Sequence, residues 1–277
     1  MNPIGRAWYT IPRWSRVVLL LVLSFVLWEV LTKVLAIKPF LLPAPTKIFA
    51  VFMENPKYLL THTWHTFYET IFGFVVAVII GVLLAIGIVS SRFLEETLYV
   101  LLVTLNSIPK VAVAPLFVVW MGTGIEPKIA IAAMIALFVI VIDMVLGLRS
   151  VDPEMIDLAR SMKASKLQTM ARIRFPNALP NLFAGMKVGV TLALIGAIVG
   201  EFVASDKGLG YIILVAQGQF ETPTMFAAVV ILAIMGTALF FIVDVFERIA
   251  LPWHVSRRRD GDAESEAARM AAAVIRG

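Results

Sequence analysis

The chain has 277 residues, of which 60% are hydrophobic and 16% are charged, and its formal net charge is +5. Soluble proteins hold nearer half apolar and about a quarter charged residues, so this chain cannot cover itself with a polar surface in water and requires lipid. It contains no cysteine, which excludes disulfides, thiolate catalysis and cysteine-based metal sites.

Six apolar runs follow one another: 17–35, 67–89, 98–121, 129–148, 186–204 and 224–245. Runs 67–89 and 224–245 are the cleanest, each long enough to cross the hydrocarbon core as an α-helix. Four of the runs carry an ionisable residue well inside them, at Glu29, Lys110, Asp143 and Glu201. Because alternating barrel patterning is absent, we predict an all-α, polytopic membrane protein with about six transmembrane helices.

Most of the 24 lysines and arginines fall in alternate segments between these runs. Basic residues concentrate in the cytoplasmic loops of membrane proteins, which predicts that both termini face the cytoplasm. The expected organisation is a cytoplasmic N-terminal segment (1–16), a transmembrane domain (17–252) and a cytoplasmic C-terminal tail (253–277).

Polar residues interrupt the third apolar run at its middle. Lys110 follows Pro109, and Asn106 and Ser107 lie just before them. Proline removes a backbone hydrogen bond and can kink a helix, and a kinked, polar-lined point inside the membrane suits a substrate path. Asp143 is a further candidate for the path and a possible partner of Lys110. The alternative is that Lys110 extends to the lipid surface or pairs with a carboxylate, so that the path lies elsewhere.

The segment between the fourth and fifth runs predicts two short helices joined by a tight corner. Asp152 followed by Pro153 is a helix-start signal, and Ser165 with Gln168 three residues later forms a capping-box pattern. Pro176 should disfavour helical geometry at the residue before it, which predicts a break ahead of the fifth membrane helix. This pattern is typical of a compact projection rather than a loose linker.

The same segment carries apolar side chains that need a partner. They are Met155, Ile156, Leu158, Leu167, Met170 and Ile173. Docking to another protein would satisfy them, and so would packing against the ends of the membrane helices. A solvated basic connector is the simpler alternative.

Three stretches carry a resemblance to a known family. The first is DLARSMKAS at 157–165, followed by RFPNALP at 174–180 and then Gly185, and it resembles the EAA loop of binding-protein-dependent ABC importer permeases. The others are SIPKVAVAPLFVVWMG at 107–122 and GEFVASDKGLGY at 200–211. The similarity is closest to the nitrate, sulfonate and taurine branch, which includes permeases for thiamine-pyrimidine precursors, riboflavin and aromatic acids, and it covers roughly residues 40–252. Lys163 stands where the family usually has glycine.

The resemblance implies a type I ABC importer permease fold with a cytoplasmic coupling helix in the loop 149–185, which seats in a groove of a separate ATPase subunit. The residues implied in that coupling are Glu154, Asp157, Ala159, Arg160, Lys163, Ala164 and Ser165. The implied partners are two ATPase copies, a second permease copy, an extracytoplasmic binding protein and the lipid of a bacterial inner membrane. Nucleic acid is not among them. ATP and Mg²⁺ would be bound by the ATPase, and this chain would hold no cofactor of its own.

Two other functions compete with a permease subunit. An ion-coupled secondary transporter would use Lys110, Asp143 and Glu201 as a relay, although no internal repeat is evident. An enzyme has no support, because the chain lacks a phosphate-binding loop and any catalytic motif, and His62 and His65 have no further metal ligands at suitable spacing. The sequence does not identify the substrate.

Overall fold

The computed structural model describes residues 13–252, and within that range the regular secondary structure is helical. This confirms the all-α prediction. The predicted tail 253–277 lies outside the described residues, as do the first 12 residues of the predicted N-terminal segment.

The helices are numbered in chain order. They are α1 (Arg13–Val34), α2 (Pro45–Glu54), α3 (Pro56–Ser90), α4 (Arg92–Leu94), α5 (Val100–Asn106), α6 (Lys110–Met121), α7 (Glu126–Arg149), α8 (Pro153–Ser161), α9 (Lys166–Thr169), α10 (Phe175–Val203), α11 (Leu209–Gly218) and α12 (Thr222–Ala250). Two π-helical turns, Glu95–Tyr99 and Met170–Arg174, join α4 to α5 and α9 to α10.

Four helices in the described part of the chain are long and apolar enough to cross a membrane. They are α3, α7, α12 and the continuous helix Lys166–Val203, which comprises α9, the second π-helical turn and α10. Helix α1 covers the first predicted run with 22 residues, whereas α6 and α11 are shorter apolar helices. The chain is thus a multi-pass membrane protein, and the total of six spans stays a prediction.

The third apolar run is broken rather than kinked. Helix α5 ends at Asn106, α6 begins at Lys110, and Ser107, Ile108 and Pro109 lie between them outside any helix. Pro109 has no backbone N–H and biases Ile108 away from helical geometry, which explains why the helix stops and restarts here. Lys110 therefore stands at the start of a new helix rather than inside a long one.

The predicted break before Pro176 is wrong. The chain stays helical from Lys166 to Val203, a length of 38 residues. Pro176 lies near the start of α10 inside this continuous helix, where its missing N–H removes one intrahelical hydrogen bond. The π-helical turn Met170–Arg174 directly precedes it and accommodates the change of register.

Two compact units divide the described residues: one contains 13–68 and 198–235, the other 69–197 and 236–252. In the second unit α7 has the largest buried share of the four apolar helices. A Cβ on Gly73 would lie 2.5 Å from Ala132 Cβ, and one on Gly196 would lie 2.6 Å from Ala132 Cα. No real Cβ fits at such distances, so glycine at both positions lets α3 and α10 touch the backbone of α7.

In the first unit Glu29 joins α1 to α2. Its carboxylate accepts hydrogen bonds from the Thr46 N–H at 3.1 Å and the Thr46 hydroxyl at 2.9 Å. Lys33, one turn further along α1, lies 2.7 Å from the same carboxylate. An acceptor at the start of α2 satisfies an N–H group that the helix leaves unpaired, so the charge of Glu29 anchors α2.

Candidate coupling surface and translocation path

Helix α8 begins where the sequence predicts. The Asp152 Oδ1 atom accepts a hydrogen bond from the Glu154 N–H at 2.9 Å, and Pro153 occupies the first helical position. Glu154 lies in the first turn, where the helix dipole favours a negative charge. The start of the predicted coupling helix is therefore confirmed as a local structure.

The corner after α8 is closed by two backbone hydrogen bonds. The Lys163 N–H donates to Arg160 O at 2.9 Å, and the Ala164 N–H donates to Ala159 O at 2.9 Å. This is the Schellman arrangement, in which the residue after the helix cap adopts left-handed geometry. Lys163 has φ +57°, so it occupies the position at which glycine is usual. The tight corner forms without glycine.

We expect Lys163→Gly to stabilise the protein by about 1 kcal/mol, because left-handed geometry costs a side-chain-bearing residue roughly that amount. The measurement is the unfolding midpoint of the detergent-purified chain. Lys166→Gly is the matched control, since Lys166 begins α9 and has no positive φ, and we expect it to lower the midpoint. A lower midpoint for Lys163→Gly would contradict the strain at this corner.

The second short helix is capped as predicted. The Ser165 Oγ accepts the Gln168 N–H at 3.2 Å, and the Gln168 Oε1 accepts the Ser165 N–H at 2.8 Å. This reciprocal capping box fixes the direction in which α9 leaves the corner. Caps at Asp152 and Ser165 together make α8 and α9 a defined projection.

The six apolar residues of this projection divide into two sets. Ile156, Met170 and Ile173 are half-buried within the chain. Met155, Leu158 and Leu167 are exposed, and so is Met162 at the corner. The most exposed are Leu167 at 77% and Met162 at 75%. We call these four exposed residues the coupling surface. Packing within the chain therefore buries only some of the apolar side chains of the projection.

The predicted coupling residues surround this surface. Glu154, Asp157, Arg160, Lys163 and Ser165 are exposed, and Ala164 is half-buried. Arg160 Nη1 lies 3.2 Å from Asp157 Oδ1 on the same helix. Ala159 differs from the rest, because it is buried, with 6% of its surface exposed.

Four of the five predicted path residues, Asn106, Ser107, Pro109 and Lys110, lie at the break between α5 and α6. The Lys110 ammonium donates to Asn106 Oδ1 at 2.7 Å and lies 4.9 Å from the centre of the Phe138 ring. Asp143 is half-buried and lies against Gly185. The structure therefore brings Asn106, Pro109 and Lys110 together but binds the ammonium to Asn106 rather than to Asp143.

An apolar cavity of about 450 Å³ opens beside this break. Lys110 is the charged residue of its lining, and Phe117 and Phe138 supply aromatic rings. Its aliphatic walls include Val76, Ile80, Leu105 and Met134. A volume of this size accommodates a small organic molecule, and one fixed cation gives such a molecule an orientation.

The glycine-containing turn before α11 is held by the buried side chains of His62, Thr66 and Glu201. Three successive backbone N–H groups each find an acceptor: Gly208 N donates to His62 Nδ1 at 2.9 Å, Leu209 N to Thr66 Oγ1 at 2.8 Å, and Gly210 N to Glu201 Oε2. The Thr66 hydroxyl also donates to Glu201 Oε1 at 2.6 Å. His62 Nδ1 also lies 3.1 Å from Gly208 O, so His62 contacts both backbone groups of Gly208, a role that sequence reasoning missed.

Sequence reasoning also missed three ion pairs, which two lysines form. Lys128 Nζ lies 3.2 Å from Glu69 Oε1, with both side chains almost fully buried. Lys187 contacts both Asp244 and Glu247 of α12. The only sequence signal was charge inside or next to an apolar run, which does not identify the partner. Among the described residues no three His, Asp or Glu side chains gather as a metal site would require.

The sequence of this chain is similar to the sequences of known transport permeases. Residues 77–252 match the family model of the binding-protein-dependent transport system inner membrane component. The chain is 36% identical over 238 residues to the riboflavin transport system permease protein RibX of Chloroflexus aurantiacus, covering 85% of this chain and 89% of that one. It is 33% identical over 236 residues to the formylaminopyrimidine transport permease protein ThiX of Halalkalibacterium halodurans, covering 85% of this chain and 94% of that one.

Solved structures share the fold. An inward-facing structure of the MetNI methionine ABC transporter matches with a TM-score of 0.57 at 24% identity, over 69% of this chain and 95% of that one. A crystal structure of an amino acid ABC transporter with histidines matches with a TM-score of 0.61 at 16% identity, over 72% and 97%. The predicted type I importer permease fold is thus confirmed. Taken with the family match over residues 77–252, the sequence and fold show that this chain belongs to the inner membrane permease components of binding-protein-dependent ABC importers.

Proposed function

We propose that this chain is the permease subunit of an ATP-driven importer, in which it forms the path for a small organic solute and couples to a separate ATPase through residues 150–180. The observation that carries the proposal is the coupling surface. A capped helix–corner–helix projection presents Met155, Leu158, Met162 and Leu167 to solvent. Exposed apolar side chains on a rigid projection mark a protein-docking site.

The ATPase subunits would supply the energy. Two copies bind ATP and Mg²⁺, and their closure brings two coupling surfaces together. Each projection continues without interruption through α9 and the second π-helical turn into α10, so a push on the coupling surface moves a membrane helix directly. The exposed charges of Glu154, Asp157 and Arg160 surround the apolar contacts and set the orientation of docking.

The solute would cross beside the break between α5 and α6, where a second permease copy completes the path. Asn106, Ser107, Pro109 and Lys110 lie at this break, and Asp143 belongs to the path as a further polar residue. The aromatic and apolar lining of the adjoining cavity, with one ammonium group, suits a flat heterocyclic solute. The names of two relatives, which refer to riboflavin and formylaminopyrimidine, support the same class. An extracytoplasmic binding protein would deliver it.

The distribution of basic residues orients the chain in a bacterial inner membrane. Both termini face the cytoplasm, with 1–16 and 253–277 as cytoplasmic segments and 17–252 as the permease domain. The coupling loop 149–185 is then cytoplasmic, on the side where ATP is available. Modification of a cysteine placed at position 167 by a membrane-impermeant reagent in inverted vesicles, but not in intact cells, tests this orientation.

Lys110→Ala is expected to lower uptake about tenfold while leaving assembly unchanged, because a hydrogen bond to a charged group contributes about 1.5–3 kcal/mol. The measurement is the uptake of labelled solute, together with the amount of assembled complex. Lys110→Arg keeps the charge and should retain most of the uptake. Loss of assembly in Lys110→Ala would make this residue structural and remove it from the path.

The energy source is tested with the assembled complex in proteoliposomes. We expect uptake with enclosed ATP and its loss when the ATPase is omitted. Uptake that follows an imposed proton gradient in vesicles without the ATPase would contradict the proposal and favour an ion-coupled secondary transporter.

A further inference from the structure

A second concave site lies between the end of α3 and the projection formed by α8 and α9. Its volume is about 270 Å³. The apolar part of its lining includes Val89, Ile156 and Met170. The basic part consists of Arg160, Lys166 and Arg174, and the described residues that line the site include no carboxylate. This lining combines positive charge with an apolar wall.

Two of the three cations of this site have no ion-pair partner among the described residues. Arg160 reaches Asp157 on the exposed face of α8. Lys166 and Arg174 make no ion pair anywhere in residues 13–252. Arg174 is also half-buried, so it has given up part of its hydration without gaining an anion. Such a group indicates that an anionic ligand completes the site.

The chemistry of Arg174 favours phosphate. A guanidinium group presents several N–H donors in a planar fork that matches two phosphate oxygens. Lys166 adds a second positive charge on the same site, and a phosphate group takes both through its separate oxygens. A phosphate bound in this site would therefore meet at least two cations.

The position of the site favours a phosphate that belongs to a lipid. Val89 ends the second apolar run, and α3 stops one residue later at Ser90. The end of an apolar membrane helix lies at the level of the lipid headgroups. A free phosphate ion has no use for the apolar wall of Val89, Ile156 and Met170, whereas the glycerol and first methylene groups of a lipid pack against it.

We propose that this site binds the headgroup phosphate of an anionic phospholipid and that the lipid braces α8 and α9 against the end of α3. Basic pockets beside membrane helices bind anionic headgroups in this manner. The bound phosphate neutralises Lys166 and Arg174 and fills the space behind the coupling surface. Arg160 and Ala164 line this site and are also predicted coupling residues, but the lipid contact is argued from Lys166 and Arg174, so it does not rest on the ATPase contact.

The test uses the full-length chain purified in a neutral maltoside detergent. The unfolding midpoint is measured while phosphatidylglycerol is added, with phosphatidylcholine and inorganic phosphate as separate arms. Arg174→Gln removes the half-buried cation. Arg172→Gln is the matched control, because Arg172 lies in the same π-helical turn but is exposed and does not line the site.

We expect phosphatidylglycerol to raise the midpoint of the wild type and of Arg172→Gln, with an apparent affinity at least fivefold weaker for Arg174→Gln. Arg174→Lys keeps a cation and should bind with intermediate affinity, which separates loss of the site from a failure to fold. An equal response of Arg174→Gln and Arg172→Gln would overturn the proposal. So would an equal rise with phosphatidylcholine or inorganic phosphate, or loss of ATPase binding in Arg174→Gln with unchanged lipid affinity.

Discussion

Leu158→Asp is expected to lower the affinity of the ATPase for this permease at least about 30-fold, because residues at the centre of a docking surface contribute about 2 kcal/mol or more. Leu158 is 61% exposed and belongs to the coupling surface of α8. A carboxylate there would be buried without a partner on docking, so ATP-dependent uptake should fall with binding. Co-purification of the tagged permease with its ATPase and the uptake rate are the two measurements.

The control for this change is Leu41→Asp. Leu41 lies between α1 and α2 and is 65% exposed, so the substitution adds the same charge at a similarly exposed leucine. On the proposed orientation it faces the other side of the membrane, and we expect normal ATPase binding. Because Leu158 contributes little to the packing of the chain itself, the unfolding midpoint of Leu158→Asp should stay near the wild-type value. Undiminished ATPase binding by Leu158→Asp would rule out docking through this surface.

Lys128→Met is expected to reduce the free energy of unfolding by about 3–5 kcal/mol, because it leaves the charge of Glu69 inside the protein without its ion-pair partner. The two side chains are 6% and 2% exposed and their charged atoms are 3.2 Å apart. Water therefore cannot screen the remaining carboxylate. The unfolding midpoint of the purified chain and its yield in the membrane fraction measure the effect.

Two comparisons separate this effect from a general loss of charge. The double variant Glu69→Leu with Lys128→Met should recover a large part of the loss, since apolar replacement of a buried pair is often close to neutral. Lys33→Met removes the cation of the Glu29 pair, but that lysine side chain is 67% exposed. An exposed pair contributes about 0–1 kcal/mol. Equal losses for Lys33→Met and Lys128→Met would contradict the argument from burial.

The ion pairs and the cap of α11 show how the chain places charge in an apolar structure. The Glu201 carboxylate meets a backbone N–H and a hydroxyl group, and the Glu69 carboxylate meets Lys128. In both cases the charge is compensated by a neighbour from a different helix or turn. Such compensation connects helices and turns that are distant along the chain. Glu69 and Glu201 therefore have a structural role, which differs from the role proposed for the path residues.

Local sequence patterns were enough to predict much of the structure. The apolar fraction established the membrane class, and apolar length located the helices. Asp152 and Ser165 predicted the caps of α8 and α9 correctly, because a capping side chain acts on backbone groups only two or three residues away. The residue spacing in the EAA-like segment also reflects a local turn, so it was enough to indicate the family.

Other features depend on residues far apart in sequence, and only the tertiary structure decided them. The partners of Lys128, Lys187 and His62 are examples, because neither helix spacing nor apolar length shows which elements pack together. Proline rules also had limited force: the rule held at Pro109, where the helix breaks, and failed at Pro176, where the π-helical turn preserves helix continuity. Composition and nearest neighbours thus determined the helices, their caps and the family, whereas long-range packing decided the ion pairs and the two concave sites.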